Sequence, residues 1–135
     1  MRFIGAYGPT LIAPNETRRC RMPTHDHLQL ARDMYRAYES GDRHVVEEIL
    51  SDDFKFYSPA GVEIDRARYF ERCWPNSKLI EDFEFTRLAE IGDEVLVTYE
   101  STKTDGSRFR NTEILAFDGG KLCKAEVYFG WNLPT

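Results

Sequence analysis

Residues 94–131 read EVLVTYESTKTDGSRFRNTEILAFDGGKLCKAEVYFGW, and this stretch decides the fold. Apolar and polar side chains alternate with a period of two, the period of a strand with one buried face. Two turn signals interrupt the run, Thr104-Asp105-Gly106 and Asp118-Gly119-Gly120. Asp-Gly between β runs marks a hairpin. Upstream, IEDFEFTRLAE at 80–90 joins the same pattern through Ile91-Gly92-Asp93. Together they predict a four-stranded antiparallel meander.

Before residue 80 the period changes. Leu28, Ala31, Tyr35 and Tyr38 recur at helical spacing, behind an Asp26–Gln29 capping pair. This predicts a helix from about Asp26 to Ser40, ended by Gly41 in the left-handed position. Asp42 opens a second, short helix with Val45, Val46, Ile49 and Leu50. A strand follows at about 53–58, with Phe54, Phe56 and Ser58 on one face and Pro59-Ala60-Gly61 as its end. Asp65 caps a third short helix carrying Tyr69, Phe70 and Trp74, stopped by Pro75. Helices at one end of the chain and strands at the other imply an α+β fold. Three helices must cover one face of a strongly curved antiparallel sheet, an arrangement that leaves an enclosed mouth for a small molecule.

The chain has 135 residues, the size of one domain. Residues 1–23 lack periodicity and contain Pro9, Pro14 and Pro23, so they read as an extended arm, and 24–135 as the domain. Met22 stands just before the first helix, which makes residues 1–21 dispensable on this reading. The formal charge of −5 lacks the basic footprint that a nucleic-acid surface needs. No apolar run approaches the ~20 residues of a membrane span, and the N-terminal stretch is a poor signal-peptide core. Cys20, Cys73 and Cys123 are odd in number and far apart, which favours reduced thiols and a cytoplasmic setting. No Gly-rich phosphate loop or metal-ligand spacing is present. His25-Asp26-His27 does not share a helical face, so no cofactor or metal is expected.

Alternation within FRNTEILAF, residues 109–117, puts Glu113 on the face of Asn111, Leu115 and Phe117. A carboxylate on an apolar face costs several kcal/mol, roughly, unless it is paired or protonated. It reads as a pocket acid/base with a raised pKa. Two structural alternatives stand beside that. A β-bulge could turn Glu113 outward, or an arginine could pair with it, although Arg108 and Arg110 lie on the opposite face of a regular strand.

YRAYESGDRHVVEEILSDDFKFYSPAG at 35–61, followed by GGKLCKAEVYFGW at 119–131, resembles the SnoaL-like branch of the nuclear transport factor 2-like superfamily. That branch also holds ketosteroid isomerases and polyketide cyclases. The resemblance covers about residues 26–133. It implies a cone-shaped half-barrel with a deep apolar pocket and a homodimer formed through the outer sheet face.

Ketosteroid isomerases place a general-base Asp before the Pro that ends the first strand; that position is Ser58 here. Their oxyanion-stabilising Tyr falls at Met34, with Tyr35 and Tyr38 close by. Their protonated Asp, held neutral by its apolar site, falls at Glu113, four residues before Phe117. One of three positions keeps its chemistry, so steroid isomerisation by that route is not expected. Epoxide hydrolases of the superfamily need carboxylates where Val97-Thr98-Tyr99 and Val127-Tyr128-Phe129 stand here.

The implied ligand is a small, flat, mostly apolar, carbonyl-bearing molecule. Glu113 is the expected catalytic residue, in an isomerase-, cyclase- or lyase-type proton transfer beside the carbonyl. Tyr38, Phe56, Ser58, Tyr69, Trp74, Asn111, Phe129 and Trp131 are the expected binding residues. A non-catalytic ligand-binding or dimerisation module with the same pocket is the alternative.

Overall fold

The structure, a computed structural model, describes residues 26–135. The expected arm at 1–23, the Met22 start, Cys20 and His25 lie outside the described residues. Helix α1 runs His27–Ser40 and α2 Arg43–Ile49, followed by strands β1, Leu50–Ser58, and β2, Gly61–Asp65. Helix α3 spans Arg66–Arg72 and leads into a 3₁₀ turn over Trp74–Leu79. The long strands are β3, Ile80–Ile91; β4, Glu94–Lys103; β5, Arg108–Asp118; and β6, Lys121–Leu133.

Each helix starts where a capping carboxylate predicts. Asp26, Asp42 and Asp65 accept from the backbone N–H three residues on, at 3.1, 3.4 and 2.9 Å. Gly41 ends α1 with φ 74°, a conformation that costs only glycine nothing. Ala31, Met34, Tyr35 and Ala37 are the buried face of α1, with Leu28 and Tyr38 half-buried at its edges.

The strands form one six-stranded sheet in the order β2-β1-β6-β5-β4-β3. The sheet is mixed. Every neighbouring pair is antiparallel except β1 and β6, which run parallel with Phe56 opposite Ala125. The intervening helix and meander supply the long crossover that a parallel pair needs. The sheet is curved and does not close. Register shifts near Thr86, Cys123 and Gly130 bend its strands, as bulges do.

Two elements differ from expectation. The chain does not leave the sheet at Pro59-Ala60-Gly61 but turns back as β2. That strand hides from its sequence because Val62 is 80 % exposed and Glu63 has φ 52°, so no alternation marks it. Pro75 does stop α3 short of Trp74, but the chain continues as the 3₁₀ turn, a conformation that tolerates Pro at its start.

The core lies between the concave face and the helices. Phe54, Val46, Val95, Val97 and Leu122 are almost wholly buried there. Each such side chain contributes about 1.5–3 kcal/mol of transfer free energy. Helix α1 packs on β3 and α3 on β1, which sets the helical layer over the concave face.

Candidate functional site

The concave face encloses a cavity of about 370 Å³. That is within the ~300–1,000 Å³ typical of small-molecule sites. Its wall is mostly aromatic and aliphatic; its buried polar groups form two clusters, and Ser58, Arg72 and Asn76 are further polar residues along it.

The first cluster centres on Glu113. Its strand is regular here, with Val97 opposite on β4 and Val127 on β6, so its side chain faces inward as alternation requires. The Tyr99 hydroxyl donates to its Oε2 at 2.8 Å. The Tyr35 hydroxyl is buried without a well-formed hydrogen bond of its own, yet lies near enough to act on the same carboxyl. Burial pushes the Glu113 carboxyl above the usual carboxylate range, and the two phenols pull it back only in part. Neither structural alternative for Glu113 holds. No bulge turns it out, and Arg108 and Arg110 both bind Glu100 on the convex face.

Aromatic packing fixes the two phenols. Tyr35 meets Phe83 and Phe85 edge-on at 5.0 and 5.3 Å, and Phe83 meets Tyr99 edge-on at 5.0 Å. Burial, then the Glu113 charge, raises the pKa of both Tyr35 and Tyr99. Both therefore keep their protons and act as donors.

The second cluster is a pair of phenols. The Tyr38 and Tyr69 hydroxyls hydrogen-bond to each other, one donating and one accepting. Burial raises the pKa of both, and both feel the Glu113 charge, as does the Cys73 thiol beside them. One proton of the pair stays free for a ligand.

Of the residues expected to bind, Tyr38, Phe56, Ser58, Tyr69, Asn111 and Phe129 line the cavity with Glu113. Asn111 is largely occupied: its Oδ1 accepts from the Gly130 N–H at 3.1 Å, and its Nδ2 reaches the Tyr99 hydroxyl at 3.4 Å. Ser58 is likewise occupied, its Oγ accepting from the N–H groups of Ala60 and Gly61 at 3.2 Å each. Phe129, 57 % exposed, stands at the mouth.

Trp74 and Trp131 are not part of the wall. Trp74 packs edge-on behind Tyr38 at 5.0 Å. Trp131 leaves the concave face because Gly130 is a bulge: Asn111 pairs with Phe129, but the next residue, Arg110, pairs with Trp131. The extra residue inverts the alternation, and the Trp131 ring lies under the Arg110 guanidinium at 5.2 Å on the convex face. Only glycine fits at 130, where a Cβ would overlap the Arg110 carbonyl.

Alternation in 109–117 does not disclose Tyr99. Counting outward from the Thr104-Asp105-Gly106 turn would have found it, since that count sets Tyr99 opposite Asn111. Among the described residues, no group of three or more His, Cys, Asp or Glu side chains is placed to hold a metal ion. In the same span no helix is long and apolar enough to cross a membrane.

The SnoaL-like domain family matches residues 31–125. Among curated proteins none matches the chain. Several solved structures share the fold. A nuclear transport factor 2-like protein of unknown function from Cytophaga hutchinsonii aligns over 80% of this chain and 93% of its own, with TM-score 0.65 and 16% identity. IdmH from Streptomyces antibioticus, described as a candidate polyketide cyclase, aligns over 76% and 91%, with TM-score 0.65 and 18% identity. A de novo designed protein with a curved β-sheet aligns over 76% and 83%, with TM-score 0.66 and 16% identity. A designed protein in this company underlines that the shape alone carries no activity.

Proposed function

This chain belongs to the SnoaL-like domain family, and from that premise we propose that its cone binds a small, flat, mostly apolar molecule bearing a carbonyl, with Glu113 as acid/base beside it. The observation that carries the reading is the Glu113 carboxyl inside the cavity, 2.8 Å from the Tyr99 hydroxyl, with its pKa raised by burial. An acid so tuned gives up or takes a proton nearer neutrality than a free glutamate does. In the base direction, the Glu113 carboxylate takes a proton from the carbon next to the carbonyl. The electron pair moves onto the carbonyl oxygen, and a phenol of the Tyr38–Tyr69 pair donates a hydrogen bond to it. Return of the proton to a different carbon gives isomerisation; attack of the enolate on an internal carbonyl gives ring closure.

A second reading has its own support. Where ketosteroid isomerases carry their base, Ser58 caps a turn and holds no carboxylate. A cone with a single carboxyl among its described lining residues serves equally as a non-catalytic binding module. Deuterium exchange at the α-carbons of 2-tetralone in D₂O, followed by NMR, separates the two. The enzyme reading expects exchange above the buffer rate, falling by about 10²–10⁴-fold in Glu113→Gln. Binding of the ketone without exchange would leave the module.

The same reading takes the protein as a cytoplasmic homodimer. The unbridged thiols of Cys73 and Cys123 support a reducing setting. The exposed Tyr128 and Trp131 rings on the convex face support an interface there.

A further inference from the structure

We propose that the ligand carries a carboxylate at the end that reaches the mouth, and that Arg72, seconded by Lys103, recognises it. The inference rests on the small-molecule reading above and adds the ligand's charge to it.

The chain is acidic overall, at −5, but the entrance to the cone has the opposite sign. Arg72 is part of the cavity wall. An adjoining depression shares Asn76, Ile80, Phe109, Asn111 and Phe129 with the cavity and adds Lys103, with Arg108 and Trp131 reaching its edge from the convex face. Among the described residues, Glu113 is the only carboxyl along either surface, and it is buried inside the cone.

The availability of these cations separates them. Arg108 is bound to Glu100. Arg72 has no carboxylate partner among the described residues; its neighbour Glu71 turns to Arg68 at 3.5 Å. The last turn of α3 favours a cation at 72. That preference does not account for its place on the wall of an apolar cavity. Its charge is felt inside, where it lowers the pKa of the Cys73 thiol against the effect of burial. Lys103 lies over the Phe109 ring at 5.6 Å. Across its turn, Asp105 accepts hydrogen bonds from the Ser107 N–H and hydroxyl and keeps only a through-space attraction to Lys103, which forms no ion pair among the described residues.

The two ends of the cavity thus ask for different groups. The deep end offers phenols that keep their protons, so it matches an acceptor oxygen. The rim offers a guanidinium whose planar fork matches a carboxylate. An aryl or fused-ring compound with a carbonyl or enol oxygen at one end and a carboxylate at the other satisfies both.

The test uses 6-hydroxy-2-naphthoate and its methyl ester, with binding measured by calorimetry at low and high salt. The wild-type chain is expected to bind the acid about tenfold more tightly than the ester, the scale of one partly exposed charge-assisted hydrogen bond. Added salt should narrow that ratio. Arg72→Gln with Lys103→Gln should remove the preference, and the far-UV circular dichroism and thermal midpoint of the variant report that it is folded. Equal binding of the two probes to the wild-type chain, or a preference that survives both substitutions, overturns the carboxylate inference alone. Failure of both probes to bind overturns the pocket reading on which it stands.

Discussion

The Tyr99 hydroxyl donates to the Glu113 carboxylate at 2.8 Å, although the residue directly across the strands from Tyr99 is Asn111. The contact is a diagonal one, two residues along β5, and it takes a side chain as long as tyrosine to make it. The bond favours the ionised acid and works against burial. Tyr99→Phe should therefore raise the Glu113 pKa further. Carbon-13 NMR of the labelled carboxyl would follow it, and an unchanged or lowered midpoint would show that the bond does not act on the acid. The lost bond should cost about 1 kcal/mol of stability.

Burial of Glu113 also fixes the sign of a pH effect on folding. Below the ordinary glutamate value of 4.5, both folded and unfolded chains hold the proton and Glu113 costs nothing in ionisation. Above it the unfolded chain releases the proton while the folded chain retains it, so stability falls as pH rises. The loss stops growing once pH passes the raised folded value. Glu113→Gln lacks this slope. Urea unfolding of both proteins from pH 4 to pH 8 should show the wild-type chain losing ground to the variant across that window, and parallel curves would refute the assignment. Glu100 works in the opposite sense. Hydrogen bonding to Arg110 holds its pKa down, so its contribution is present above the unfolded pKa and fades as pH falls through the folded one.

The bulge at Gly130 orders the mouth. Gly130→Ala forces a methyl group into the Arg110 carbonyl and breaks the seat of the Asn111 side chain on the Gly130 N–H. The expected cost is about 2–4 kcal/mol, read as a lower urea midpoint. Ligand affinity should fall too, because Asn111 and Phe129 both lose their position. A variant of wild-type stability would mean that the bulge relaxes freely.

These residues also mark how far the sequence could be read. The meander was legible because Asp-Gly turns and two-residue alternation agree over 94–117, and Glu113 followed from that parity alone. Parity then failed at Gly130, where one inserted residue sent Trp131 to the convex face. The glycine inside a strand pattern was the signal for it. Strand β2 was not legible, since an exposed edge of five residues needs no apolar pattern. The Tyr35–Glu113–Tyr99 grouping joins a helix to two strands, and no period within one element encodes that.

On the convex face the Tyr128 and Trp131 rings are 53 % and 60 % exposed, beside a hydrogen-bonded Thr98–Thr112 pair. If two copies meet there, Tyr128→Glu with Trp131→Glu should convert a dimer to a monomer in sedimentation velocity without lowering the affinity of the cavity. A wild-type chain that sediments as a monomer at high concentration removes the interface.

The last prediction concerns the missing base. Ser58 lines the cavity, and its Oγ accepts from the N–H groups of Ala60 and Gly61. An aspartate accepts the same two bonds in an Asx turn, so Ser58→Asp should fold. It would place a second carboxylate in a cavity that already holds Glu113. Those two N–H bonds favour the charged form and weaken the new base. The gain should therefore be about tenfold in the α-proton exchange of 2-tetralone, the low end of what a positioned base supplies. If the folded variant still binds the ketone but exchanges no faster, the lack of a carboxylate at 58 is not what limits the site. The geometry of the ligand between Glu113 and the Tyr38–Tyr69 pair would then be the limit.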